Sequence, residues 1–128
     1  MGEDKLVISV KTARLERDTD TFGSMEPYCK IKYEENKIKT KVDSSGGKNP
    51  NWDETFTLEV GSSPSLAISV WDSDTFTNEE IGTAVIQIDH LKANGGLTDW
   101  LKLSYQDKNV GEVYVEIIYV SKDGHHPA

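Results

Sequence analysis

The chain has 128 residues, 28% of them charged and 36% hydrophobic, the length and balance of one globular domain with a real core. Acidic residues outnumber basic ones 22 to 14, and the net charge of −8 excludes nucleic acid as a main partner, because phosphate recognition needs a basic surface. No stretch approaches the roughly 18 apolar residues of a spanning helix, residues 1–5 are too acidic for a signal peptide, and Leu6 stands where a myristoylation signal at Gly2 needs Ser or Thr.

In chain order, short alternating or apolar runs are broken by turn residues, the pattern of an all-β sandwich. Residues 6–10 open it. In residues 28–33, Lys30 and Lys32 share one face while Cys29, Ile31 and Tyr33 share the other. After the turn Glu34-Glu35-Asn36, Lys37, Lys39 and Lys41 alternate with Ile38, Thr40 and Val42, so the two runs are predicted to form a hairpin. Residues 43–48 read as a loop, and strands are expected over 54–60, 66–71 and 83–88. One helical turn is expected within 89–94, with closing strands at 100–103 and 112–120. The expected organisation is one domain over residues 1–121 and a disordered tail over 122–128.

The single cysteine, Cys29, forms no internal disulfide, so a reducing, cytoplasmic setting is expected, and within a strand-like run it reads as a small hydrophobe rather than a nucleophile. No Ser or Cys has a histidine in a plausible strand context, and His125 and His126 belong to the tail, so the chain is expected not to be an enzyme. Trp52 and Trp100 read as packing residues, and His90 as a surface residue of the helical turn.

Two acidic loops stand out. Asp20-Thr21-Phe22-Gly23-Ser24-Met25-Glu26 and Asp72-Ser73-Asp74-Thr75-Phe76-Thr77-Asn78-Glu79 each space carboxylates a few residues apart around one Phe. Calcium takes six to eight oxygen ligands at roughly 2.3–2.6 Å, which two such loops side by side can supply. A large aromatic between acids suits a surface that meets lipid. The pattern points to calcium-controlled membrane attachment.

Four motifs, in order, make the chain resemble a C2 domain over about residues 5–120. They are Ser24-Met25-Glu26-Pro27-Tyr28, Asn49-Pro50-Asn51-Trp52-Asp53-Glu54-Thr55-Phe56, Val70-Trp71-Asp72-Ser73-Asp74 and Ile81-Gly82. It resembles small stand-alone C2 proteins, such as the plant elicitor-responsive and protist ones. The resemblance implies an eight-stranded antiparallel β-sandwich. Because residues 111–120 supply at the C-terminal end a strand that other C2 domains place first, it implies the permuted type II topology.

The resemblance also implies a ligand set for one or two calcium ions: Asp20, Glu26, Asp72, Asp74 and Glu79, with Glu80 as an alternative fifth position and Asp18 outside the ligands. Glu stands where Asp is usual at positions 26 and 79, and the second loop is one residue short, so a weakened or single-ion site is expected. Phe22 and Phe76 are the expected membrane-inserting residues. A second, phosphoinositide-binding site is implied at Tyr28, Lys30, Lys37, Lys39, Trp71 and Asn78, with Lys32 and Lys41 widening it. Strand lysines also serve to block edge-to-edge aggregation, an alternative the residues leave open.

The expected partner is an anionic phospholipid membrane carrying phosphatidylserine and, at the lysine site, phosphoinositide. Recruitment would be to the cytosolic face, the plasma membrane foremost. A calcium-independent phosphoinositide- or protein-interaction module is the alternative, with the protein partner unidentified.

Overall fold

The structure is a computed structural model that describes residues 3–19, 25–74 and 77–122. Eight strands and one short helix follow in the order β1 (Lys5–Leu15), β2 (Pro27–Tyr33), β3 (Asn36–Lys39), β4 (Asn51–Glu59), β5 (Ser65–Ser73), β6 (Asn78–Gln87), α1 (Ile88–Asn94), β7 (Gly96–Tyr105) and β8 (Lys108–Val120). All described strand pairings are antiparallel.

The strands form one curled sheet in the order β3-β2-β5-β6-β7-β8-β1-β4. Among the described residues, its two four-stranded halves pair only where Thr83 of β6 opposes Ser104 of β7, so the sandwich is a single sheet folded on itself at that seam. The C-terminal strand β8 lies between β1 and β7, the place the type II arrangement assigns to it.

Alternation puts Leu6, Ile8 and Val10 of β1, Cys29, Ile31 and Tyr33 of β2, Ile68 and Val70 of β5, and Val113, Val115 and Ile117 of β8 into one buried cluster. Each fully buried Leu, Ile or Val contributes about 1.5–3 kcal/mol relative to exposure. Trp52 closes the cluster from β4, and its indole N–H donates to the Pro27 carbonyl at 3.1 Å, tying the two halves together. Tyr33 does the same at the other end, donating to the Ser63 carbonyl and accepting the Gly61 N–H, both at 3.0 Å.

Strand bounds differ from the sequence expectation for local reasons. A bulge between Val10 and Thr12 resets the inward face of β1 from Val10 to Ala13 and Leu15, so alternation breaks although the strand continues. β3 ends at Lys39 rather than Val42, because the chain then crosses to β4: Lys41 N–H donates to Glu54 Oε2 at 2.7 Å and Asn51 N–H to Asp43 Oδ2 at 2.9 Å. α1 buries Ile88 and Leu91 and ends at Gly95, whose φ of 74° is left-handed. Gly96 follows at φ 139°, where an added Cβ would sit 2.0 Å from the Ile117 carbonyl oxygen. Of the expected tail, Lys122 is anchored, its N–H donating to Asp4 Oδ1 at 2.7 Å; residues 123–128 lie outside the described residues.

Candidate functional site

One end of the sheet gathers the acidic positions. Asp72 near the end of β5 stands opposite Pro27 of β2 on one side and Glu79 of β6 on the other. Glu26 directly precedes β2, and its carbonyl accepts the Ser73 N–H at 3.0 Å. Asp72 is 5% exposed, whereas Glu26, Asp74 and Glu79 are exposed.

The Asp72 carboxylate is held in place by two donors: Oδ2 accepts the Thr19 hydroxyl and Oδ1 the Glu26 N–H, each at 2.8 Å. A carboxylate has about four lone-pair sites, so the donors among the described residues leave acceptor capacity on both oxygens. Among the described residues no lysine or arginine pairs with it. A buried carboxylate without a cation beside it is costly, and this donor chemistry fits a hard cation. The described residues nevertheless contain no cluster of three or more Asp, Glu, His or Cys side chains that could hold a metal. Asp20, Phe22 and Phe76 lie outside the described residues.

Thr19 was not visible as a site residue in the sequence. Its signal, a hydroxyl immediately before Asp20, carries no specificity until the fold brings it to Asp72. Glu80, the alternative ligand, instead accepts the Thr83 hydroxyl at 2.9 Å.

The lysine face is built by strand register. Lys30 stands opposite Lys39, Lys32 opposite Lys37, and Tyr28 opposite Trp71. The Lys30 ammonium lies 4.2 Å above the Trp71 ring centre, and the Lys39 ammonium 5.8 Å from that of Tyr28. Trp71 is fixed by its indole N–H, which donates to Ser69 Oγ at 2.8 Å, and Tyr28 is 4% exposed. None of Lys30, Lys32, Lys37 or Lys39 forms an ion pair with a carboxylate among the described residues. Burial pushes the Lys30 ammonium below the usual lysine range, and the neighbouring charges of Lys39 and Lys37 push it further. Burial likewise raises the Tyr28 phenol.

Four of the six expected phosphoinositide residues, Tyr28, Lys30, Lys39 and Trp71, thus meet through ring and ammonium contacts, and Lys37 extends the row. Asn78 stands exposed at the start of β6 opposite Ser73, beyond Trp71 along β5. Lys41 has left the ladder with its backbone bound to Glu54 and does not widen the row, whereas Lys32 does.

Other reactive groups sit elsewhere. Cys29 is fully buried, and burial drives its thiol far above the usual range, which leaves it unreactive. His90 is exposed on α1, beside the amide of Asn94. Trp100 packs against Tyr114 with ring centres 5.2 Å apart. No helix of the described residues is long and apolar enough to cross a membrane.

A family model described as the C2 domain matches residues 4–103. Elicitor-responsive protein 3 of Oryza sativa subsp. japonica is 26% identical over 126 residues, covering 96% of this chain and 88% of the relative. Among solved structures, a C2 domain-containing protein from a putative elicitor-responsive gene superposes with a TM-score of 0.79 at 21% identity, covering 94% of this chain and 92% of that one. The calcium-bound pair of C2 domains of Extended-Synaptotagmin 2 gives 0.83 at 19% identity, covering 94% and 47% respectively.

Proposed function

The chain belongs to the C2 domain family, and from that membership we propose that it is a binding module, not an enzyme, that attaches to anionic phospholipid membranes of the cytosolic face. The observation that carries the reading is the lysine row: four lysines without carboxylate partners among the described residues, two of them set over aromatic rings, on a chain whose net charge is −8. Mutual repulsion makes such a row costly alone and receptive to a multiply charged phosphate, each lysine contributing about 1 kcal/mol near an anionic surface. Phosphoinositide headgroups fit this face best.

The acidic end supplies the second contact in this reading. Asp20, Glu26, Asp72, Asp74 and Glu79 would hold one or two calcium ions, with Phe22 and Phe76 entering the lipid beside them. Asp72 is held in place by Thr19 and by the Glu26 backbone. Calcium, when bound, supplies the positive charge that reverses the local field so that the loops can meet anionic headgroups.

One observation favours the calcium-independent alternative. Asp72 already accepts two hydrogen bonds, and glutamates, with longer side chains than aspartate, occupy positions 26 and 79. In that case the lysine row alone would recruit the protein.

The lysine site is tested by vesicle flotation with phosphatidylserine alone and with added phosphoinositide. Reversing Lys37 and Lys39 together to Glu is expected to abolish the preference for phosphoinositide while leaving binding to phosphatidylserine. A persisting preference would refute the site.

A further inference from the structure

Both arginines of the chain, Arg14 and Arg17, lie within one short stretch at the end of β1, and each is laid on an aromatic ring of β7. The Arg14 guanidinium carbon is 3.6 Å from the Trp100 ring centre, and that of Arg17 is 4.0 Å from Tyr105. The backbone beneath them is fastened to β8, with Glu16 N–H and Arg17 N–H both donating to the Val110 carbonyl, at 2.8 and 3.3 Å. Arg14 pairs with Glu112 at 3.1 Å, and Arg17 donates to the Glu80 carbonyl at 3.4 Å.

Two adjoining clefts of about 370 and 430 Å³ open here, sharing Glu16 and Asn109 as a common wall; Arg17 and Lys108 line one, Arg14 and Lys102 the other. Their walls therefore carry four cations against two carboxylates, Glu16 and Glu112, and Glu112 is engaged by Arg14. That is a local positive excess on a strongly acidic chain.

The place of this rim matters as much as its charge. Arg17 lies two residues before Thr19, which grips Asp72, and its guanidinium reaches the residue after Glu79. The rim therefore adjoins the acidic end of the sheet. It stands on the β1, β7 and β8 half, whereas the lysine row stands on β2 and β3 of the other half. A stacked guanidinium keeps N–H donors along its edge, pre-oriented for the oxygens of a phosphate.

We propose that this arginine rim is a second anionic contact, binding the headgroup phosphates of phosphatidylserine-bearing membrane beside the acidic loops and fixing the domain's tilt on the bilayer. The inference rests on the membrane-binding reading above. A lysine row on one flank and an arginine rim on the other would hold the acidic end between them against the surface.

The test is sedimentation of the full chain with phosphatidylcholine vesicles carrying phosphatidylserine and no phosphoinositide. Arg17→Gln with Lys108→Gln is expected to weaken binding about 25-fold, about fivefold for each charge removed. Lys108→Glu alone, an exposed change next to a hairpin turn, is expected to weaken it measurably even if the Arg17 change disturbs folding. Arg17→Lys, which keeps charge but loses the fork, should fall between wild type and Arg17→Gln. Undiminished binding by Lys108→Glu and by the double variant, with wild type still sedimenting, would overturn the arginine rim alone. Failure of wild type to sediment with these vesicles in calcium would overturn the rim, and failure even after phosphoinositide is added would overturn the membrane reading as well. Saturation of the rim by free inorganic phosphate without vesicle binding would also overturn the proposal, by identifying a soluble anion as the ligand.

Discussion

Lys30 is placed between an attractive ring and repelling neighbours. Trp71 receives its ammonium at 4.2 Å, while burial, Lys39 and Lys37 all disfavour its charge. A lysine whose folded pKa is depressed contributes stability only above its unfolded value, about 10.4, and loses it as pH falls through the folded value. At neutral pH the repulsion therefore weakens the free protein, and a bound anion relieves it. Lys39→Gln is expected to raise the melting temperature slightly, by about 0.3–1 kcal/mol of stability, while weakening phosphoinositide binding. Opposite signs in thermal melting and lipid titration would show a face kept for binding; loss of both would mean Lys39 only packs. Much of this row was legible in the sequence, because period-two alternation aligns Tyr28 with Lys30 and Lys37 with Lys39. The partners of Asp72 were not, because Thr19 meets it across 53 positions of chain.

At the scale of elements, the end opposite the acidic loops is closed by Asp4. Its carbonyl accepts the Val60 N–H at 2.7 Å, and its carboxylate accepts the Tyr119 hydroxyl and the Lys122 N–H, joining the entry of β1 to the exits of β4 and β8. The Tyr119 hydroxyl and the Lys122 N–H hold the Asp4 carboxyl below the usual carboxylate range. A depressed carboxylate contributes stability above its unfolded pKa, about 3.9, and loses it as pH falls through the lower folded value. Tyr119→Phe is expected to cost about 1 kcal/mol at neutral pH, with the gap to wild type closing as the solution is acidified past that window. Denaturant melts at several pH values check it, and a gap that persists in acid would contradict it. The bulge in β1 illustrates what sequence reading loses at this scale: the strand is continuous in hydrogen bonding but not in alternation, so periodicity ends it at Val10 while pairing carries it to Leu15.

For the whole molecule, all-β architecture followed from runs of alternating residues, and the place of the C-terminal strand from the resemblance to C2 domains. The continuity of the two halves did not, because among the described residues it rests on one pairing, Thr83 with Ser104, which no local pattern marks. Charge is likewise distributed in a way that a net value of −8 conceals, with a lysine row and an arginine rim set apart on a predominantly acidic surface. The central proposal belongs to this scale: the domain attaches to anionic membrane, and calcium bound at its acidic end would control the attachment. The most direct measurement is sedimentation of the unaltered chain with phosphatidylserine vesicles, first in calcium and then in chelator. Binding in calcium that is lost in chelator is the predicted result. Equal binding in chelator, or none in either, would contradict calcium control.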